Sequence, residues 1–331
     1  MRNVYKEFND GMIQDAGALL ARRHKSNRKE QPLLPARFQD PMMASQAIRA
    51  LWQNKSRVGY AAYCDDRMTG FLLGEFIQQP WGRCGYVHLP GYALAEDESP
   101  NTIQDLYALI GDEWVKRGIF SHSLYISAAD RHIIGALFNL GFGKERVDAL
   151  LDLTTLAVPE MPGPENISIR RAGAGDNDNL ARLSDVISRA LAEPPYWHPT
   201  VPEDYEELKE GWGELADDNE WKVWLALENG ESVGIVGFRP EWEEDTKMLA
   251  SPQTVYLSIA ASLPSARGRG ISTYLSWQGL EQARKEGFRV CYTNWISSNL
   301  LAARHWPRYG FKDIAYRLSK NVNPMIAWTR R

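Results

Sequence analysis

Long apolar runs, a basic surplus and a cysteine framework are all missing from this chain. No apolar stretch approaches the roughly 20 residues that a membrane-spanning helix needs. The first residues, MRNVYKEFNDGM, lack the apolar core of a secretion signal. No membrane partner is therefore expected, and the expected location is cytoplasmic. There are only three cysteines, Cys64, Cys84 and Cys291. They are odd in number and far apart, which gives neither a disulfide framework nor metal-ligand spacing. The expected metal is none. Lysine and arginine total 38 against 42 acidic residues, a net charge of −4. That balance excludes a general nucleic-acid binder, which needs a basic surface to neutralise phosphates.

What is present is the composition of a folded protein. Hydrophobic residues make up 44% and charged residues 24% of 331 positions, enough for two ordinary domains. Twelve tryptophans are available for core packing or for a pocket wall.

Apolar spacing predicts helices over 10–25, 42–52 and 103–116 and a short one over 131–140. Strands are expected over 58–64, 69–78, 85–93, 122–127 and 147–156. The segment AVPEMPGPEN, residues 157–166, is rich in proline and is the expected linker. Beyond it the plan repeats. A helix is expected over 179–192, a second over 205–215, and a hairpin across Asn229-Gly230 joins strands 222–227 and 232–238. Strands are expected again over 255–263, 288–295, 314–318 and 325–329. Gly70 in the first hairpin corresponds to Gly234 in the second, and Gly141-Phe142 to Gly310-Phe311, each about half a chain apart. The chain reads as a whole-domain duplication: residues 1–156, a linker at 157–166, and residues 167–331.

Within the second half, Val255 to Ser272 reads VYLSIAASLPSARGRGIS. Val255, Leu257 and Ile259 alternate with polar or small residues as in a strand, and Pro264 ends it. A glycine- and arginine-rich loop follows, then a helix over 273–286 with Leu275, Leu280 and Ala283 on one face. Unpaired N–H groups at such a helix start, with the helix dipole behind them, hold an anion well. The glycines let the backbone approach it. Read by itself, the same loop also suits a tight turn carrying two solvated arginines.

The forty residues that follow decide between these readings. They contain Asn299, Ala302, Trp306, Gly310 and Phe311 after a strand-like FRVCYTNW. Together the two segments resemble the GNAT superfamily of acyl-CoA N-acyltransferases. Arg267 and Gly270 fit its (Gln/Arg)-x-x-Gly-x-(Gly/Ala) loop, with Ser272 at the Gly/Ala place. Asn299, Ala302, Gly310 and Phe311 fit its Asn-x-x-Ala…Tyr-x-x-x-Gly-Phe segment, with Trp306 where the family often has tyrosine. The resemblance implies an α/β (α+β) fold of two tandem GNAT-like domains, each a mixed, mostly antiparallel central sheet flanked by helices.

It also implies a donor and a site. The donor would be acetyl-CoA, acting as acyl-donor substrate. Its pyrophosphate would lie on the backbone of Arg267, Gly268, Arg269, Gly270, Ile271 and Ser272. Its pantetheine arm would run along Ile259, Ala260, Ala261 and Leu263, with Asn299 and Trp306 at its other side. In the first half the corresponding loop, Leu94 to Pro100, holds Glu96, Asp97 and Glu98. Those carboxylates repel a pyrophosphate, so the first half is expected to be degenerate and to shape the substrate entrance.

Acyl transfer needs a neutral amine, so a proton acceptor must be near. Candidates are Glu241 with its acidic neighbours Glu243, Glu244 and Asp245, or water held by Tyr256 and Ser258. His198 and His305 are the local imidazoles. Trp306 has an N–H but no useful proton to give the departing thiolate. Tyr309 or Tyr292, or solvent, is left for that task. The expected activity is N-acetylation of a primary amine on a small molecule, by direct attack on the thioester. A non-catalytic acyl-CoA-binding protein is the alternative, and aminoacyl transfer on a similar fold a third reading. The expected state is a monomer or homodimer, with no nucleic-acid partner.

Overall fold

A computed structural model describes residues 3–79, 82–241, 244 and 246–329. Contacts group them into two units: Met1–Asp148 with Glu243–Ala250 and Asp313–Arg331, and Ala149–Trp242 with Ser251–Lys312. The segment 157–166 thus lies inside the second unit, and the C-terminal strand belongs to the first.

The first unit runs β1 (Val4–Glu7), α1 (Ile13–Glu30), α2 (Pro41–Trp52), β2 (Val58–Cys64), β3 (Arg67–Gln79) and β4 (Gly82–Val87). It continues with β5 (Tyr92–Leu94), α3 (Asn101–Lys116), β6 (Ser121–Ser127), α4 (Arg131–Asn139) and β7 (Gly143–Asp152), whose last residues belong to the second unit. Strands β1 to β4 pair antiparallel in order, and β4 pairs parallel with β6. The single strand expected over 85–93 is two. Leu89–Gly91 forms a tight turn between β4 and β5, where Pro90 has no N–H for a ladder. β5 pairs with β3. Leu19, Leu72, Ile103, Trp114 and Leu124 lie in the unit's core.

The second unit runs β8 (Ser168–Arg171), α5 (Asn177–Ala181), α6 (Val186–Ala192), α7 (Pro202–Gly213), β9 (Lys222–Glu228) and β10 (Glu231–Pro240). Then come β11 (Thr254–Ser262), α8 (Ile271–Lys285), β12 (Val290–Ile296) and α9 (Leu300–His305). The helix expected over 179–192 is broken between Ala181 and Val186. The Ser184 hydroxyl donates to the Ala181 carbonyl at 2.8 Å, a local bond that competes with helical pairing. Asn229 and Gly230, at φ 53° and 84°, close the expected β9–β10 hairpin. The sheet is antiparallel from β8 through β11 and parallel between β11 and β12. Leu180, Leu183, Leu225, Ile235 and Ile259 form its core under α5, α6 and α7.

Two elements end the chain, β13 (Lys312–Asn321) and α10 (Ile326–Thr329). The strand expected at 325–329 is this short helix. β13 pairs antiparallel with β6 from Ala315 to Asn321, so the last strand of the chain is inserted between β6 and β7. Among the described residues no helix is long and apolar enough to cross a membrane. The fold is mixed α/β with a mostly antiparallel sheet, as expected from the sequence.

Candidate active site

Two irregularities in the second unit's sheet make a cleft. The first is a bulge. Gly237 faces Ile259 and Phe238 faces Leu257, so Ser258 has no partner on β10. A bulge of this kind bends the strand and re-aims the extra residue. The second is a parting of strands. β11 pairs with β12 only from Thr254 to Tyr256, against Val290 to Tyr292. Just past that point the Thr293 hydroxyl donates to the Leu257 carbonyl at 2.9 Å. Beyond it the regular ladder stops, although β11 continues to Ser262.

The resulting cleft has a volume of about 750 Å³. That is in the range of small-molecule and cofactor sites. One wall is β11, with Ser258, Ala260, Ala261 and Ser262. The opposite wall is Asn294 and Ile296 of β12, with Asn299, Ala302, His305 and Trp306 after it. Val186, Ile187, Ala190 and Leu191 of α6 also line it.

At one end the cleft meets the glycine-rich loop. Pro264–Ala266 forms a tight turn after β11. Gly268 and Gly270 then take φ of 78° and 76°. A side chain at either would meet no atom within 4 Å. The requirement for glycine there is backbone strain, since L residues rarely adopt this left-handed conformation. The first turn of α8 begins at Ile271, and Tyr274 N–H makes a bond to Gly270 O. The amides of Ile271, Ser272 and Thr273 precede that bond and have no helical acceptor. Arg267, Gly268, Gly270, Ile271, Ser272 and Thr273 all line the cleft. Ser272 fits without disturbance, because its hydroxyl pairs with that of Ser262 at 2.8 Å.

Other site expectations fall outside the lining. Arg269 turns away and pairs with Glu228 at 2.8 Å. Ile259 is buried in the core, with Leu263 packed against the same cluster. Tyr256 and Tyr309 are not among the lining residues, although Tyr256 shares the half-buried face of β11 with Ser258. The Tyr256 hydroxyl accepts from Asn294 Nδ2 at 2.7 Å, and the Tyr309 hydroxyl lies 3.1 Å from His305 Nε2. Burial raises the Tyr309 pKa above its ordinary value. Glu241 follows β10, and its N–H donates to Thr254 O at 3.0 Å. Glu244 is exposed. Glu243 and Asp245 lie outside the described residues. His198 is on the loop after α6, stacked on Tyr196 at 5.4 Å, and neighbouring Trp197 is exposed.

Asn299 has two tasks. Its Oδ1 accepts from Ala302 N–H at 3.2 Å, capping α9, while the residue also lines the cleft. Trp306 is almost fully buried and its ring meets Phe311 edge-on. His305 packs beside it at 4.7 Å. Burial, then the Arg308 charge, pushes the His305 pKa down to about 4. The imidazole is therefore neutral near pH 7. Arg304 and Arg308 line the cleft and are exposed, as is Arg267. None of these three forms an ion pair among the described residues. Their charge favours a polyanion at this end.

Sequence reasoning missed the α6 wall, Asn294 and the two arginines of α9 and the turn after it. Ile187 and Leu191 are four apart, which identified a buried face but not what it faces. Arg304 and Arg308 carried no signal beyond their charge.

The first unit fills the matching places with its own side chains. Glu98 Oε1 accepts from Ser99 N–H at 3.0 Å and Thr102 Oγ1 at 2.7 Å, at the start of α3. A carboxylate thus already occupies that helix N-terminus. Asp130, which precedes α4 as Asn299 precedes α9, is buried and accepts from the Tyr92 hydroxyl at 2.5 Å. Arg23 lies over the same tyrosine ring at 4.0 Å.

Residues 185–311 match the sequence profile of the acetyltransferase (GNAT) family. An uncharacterized N-acetyltransferase of Escherichia coli (strain K12), YjgM, is 26% identical over 47% of this chain and 87% of its own length. A phosphinothricin N-acetyltransferase of Streptomyces coelicolor is 24% identical over 46% of this chain and 86% of its own. Among solved structures, a GCN5-related N-acetyltransferase from Sphaerobacter thermophilus superposes with a TM-score of 0.58 at 15% identity. It covers 96% of this chain and 95% of its own. A tandem GNAT protein from the clavulanic acid biosynthesis pathway gives a TM-score of 0.53 at 14% identity, over 98% and 99%. At these identities the structures show a shared fold.

Proposed function

We propose, for a tandem chain that carries a GNAT acetyltransferase domain over residues 185–311, that it moves an acetyl group from acetyl-CoA to a primary amine of a small molecule. The observation that carries this reading is the continuity of one cleft. The same space is bounded by the orphan amides and arginine of the glycine-rich loop at one end and by the parting of β11 and β12 at the other. A pyrophosphate suits the first and a pantetheine arm the second. The arm can pair with β11 backbone where β12 has left it.

In this reading the amides of 271–273, with Arg267, bind the pyrophosphate, and Arg304 and Arg308 add charge for the nucleotide phosphates. The thioester lies near Ser258, where the bulge opens the strand. The amine nitrogen attacks the carbonyl carbon, forming the C–N bond. The tetrahedral intermediate then collapses with cleavage of the C–S bond. The amine's proton leaves to water or to a carboxylate after β10, and the thiolate is protonated by solvent or by a cleft donor. Positioning of the two reactants supplies most of the acceleration in such a direct transfer. Trp306 makes an apolar wall beside the thiol, and contributes no O–H.

Calorimetric titration with acetyl-CoA, wild type against Gly270→Glu, tests the binding half. A carboxylate at the loop should abolish binding, and a wild type that does not bind refutes the reading. Thiol release with a panel of amines tests the chemical half. The lack of an O–H at Trp306 favours a second reading, an acyl-CoA-binding protein without turnover. That protein would bind in the first experiment and release no thiol in the second.

A further inference from the structure

We infer that the amine acceptor carries a carboxylate, and that Arg239 together with the Tyr256 hydroxyl receives it. The inference rests on the transferase reading above and narrows its substrate class to amino-acid-like acceptors. Arg239 lies near the end of β10, directly across from Tyr256 on β11. Cross-strand partners project from the same face of a sheet. The guanidinium carbon is 5.3 Å from the centre of the Tyr256 ring and 5.9 Å from that of Trp221. Two aromatic faces hold the cation in place. Among the described residues no carboxylate pairs with it. Two of this unit's other sheet cations are neutralised, Arg170 by Asp176 and Lys222 by Glu286. A half-buried guanidinium with aromatic support and no counter-ion retains its donors for a ligand.

The connection to the cleft runs through Tyr256. Its oxygen accepts from Asn294 Nδ2 at 2.7 Å, and Asn294 lines the cleft. Because the amide is the donor in that bond, the tyrosine's own O–H hydrogen remains to be donated. Arg239 and Tyr256 thus offer N–H and O–H donors side by side, where β11 and β12 begin to part. The pyrophosphate loop lies at the opposite end of β11. An α-amino acid anchored by its carboxylate at the Tyr256 end would extend its amine along the strand toward Ser258. The acetyl group arriving from the loop end would meet it there.

The test uses the full-length protein with acetyl-CoA and a panel of free L-amino acids, each beside its carboxamide and its decarboxylated amine. Wild type, Arg239→Ala and Arg239→Lys are assayed by thiol release, and acetyl-CoA binding is measured separately by calorimetry. A free amino acid should be turned over with KM at least about tenfold below that of its carboxamide, the effect of one lost charge-assisted hydrogen bond. Arg239→Ala should erase that preference by raising KM for the acid, with kcat changed less and acetyl-CoA affinity unchanged. Arg239→Lys should restore it in part, since the charge returns without the planar fork. Preference for the carboxamide or the decarboxylated amine, or an Arg239→Ala enzyme with an unaltered acid preference, overturns the inference and leaves the transferase reading standing. Acetyl-CoA binding with no thiol release from any acceptor overturns both.

Discussion

Gly270 is where a single backbone angle holds the site together. A β-carbon there meets open space, so Gly270→Ala adds no clash. What it adds is the left-handed strain of φ 76°, about 1–2 kcal/mol. The backbone relieves that strain by turning the first α8 amides. Acetyl-CoA affinity is therefore expected to fall several-fold, with a drop of only a few degrees in Tm, measured by calorimetry and thermal melting. Histidines make a second residue-scale prediction. His24 and His122 have pKa values pushed down to about 4, chiefly by burial. His122 Nε2 donates to Ile119 O, while Nδ1 accepts from the Tyr107 hydroxyl at 2.8 Å. Protonation would turn that acceptor into a donor. A base with a depressed folded pKa stabilises the fold above its unfolded pKa of about 6.5, and the contribution is lost as pH falls toward 4. Denaturation midpoints should therefore fall between pH 6.5 and 4, and the His24→Gln/His122→Gln double variant should show a shallower fall over that window. At this scale the sequence was legible where chemistry needs a particular residue type. Gly270 and Asn299 could be named from their spacing. Arg269 could not be separated from Arg267, because its partner Glu228 is 41 residues away.

Element α8 joins the loop to the sheet, and Gly279 sets how closely it docks. A β-carbon at Gly279 would lie 2.2 Å from Cε2 and 2.6 Å from Cζ of Phe238. Phe238 is buried on β10, with about 1% of its surface exposed. Gly279→Val should cost about 1–3 kcal/mol by overpacking and displace α8. Both a lower Tm and a weaker acetyl-CoA affinity are expected, since the helix carries the anion-binding amides at its start. If Tm falls and affinity is unchanged, the loop is positioned independently of the helix. The strand before it was legible as Val255, Leu257 and Ile259 alternating with polar residues. Its bulge at Ser258 was not, because a bulge is a relation to β10 and leaves the strand's own pattern almost intact. The break before α6 was also hidden. Leu180, Leu183, Ile187 and Leu191 keep helical spacing through it, and only the Ser184 bond to Ala181 O shows where the helix stops.

For the whole molecule, Gly70 and Gly234 and the two Gly-Phe pairs carry the expectation of a duplication, but they say nothing of strand membership. Periodicity identifies a strand over 314–318 and is silent on its partner. One partner is β6, nearly two hundred residues earlier, and the other neighbour is β7. Side chains tie β13 to β6, to β7 and to the end of α4. Ser123 and Ser319 hydroxyls pair at 2.8 Å, Lys320 Nζ donates to Leu140 O at 2.7 Å, and Arg317 pairs with Glu145 at 2.6 Å. Leu318 is fully buried in the first unit's core. A chain ending at residue 166 keeps every residue of the sequence's first repeat and still lacks this strand. It would expose the β6 edge and uncover core around Leu124 and Ile126, leaving a sheet edge open to pairing with other chains. The expected outcome is that residues 1–166 made alone aggregate or show a molten, poorly dispersed amide spectrum. Supplying residues 312–331 in trans, or fusing them after residue 166 through a flexible linker, should restore dispersion and a cooperative melt. A cooperative, monomeric 1–166 would instead show that β6 is stable as an edge, and that β13 adds to a unit already folded.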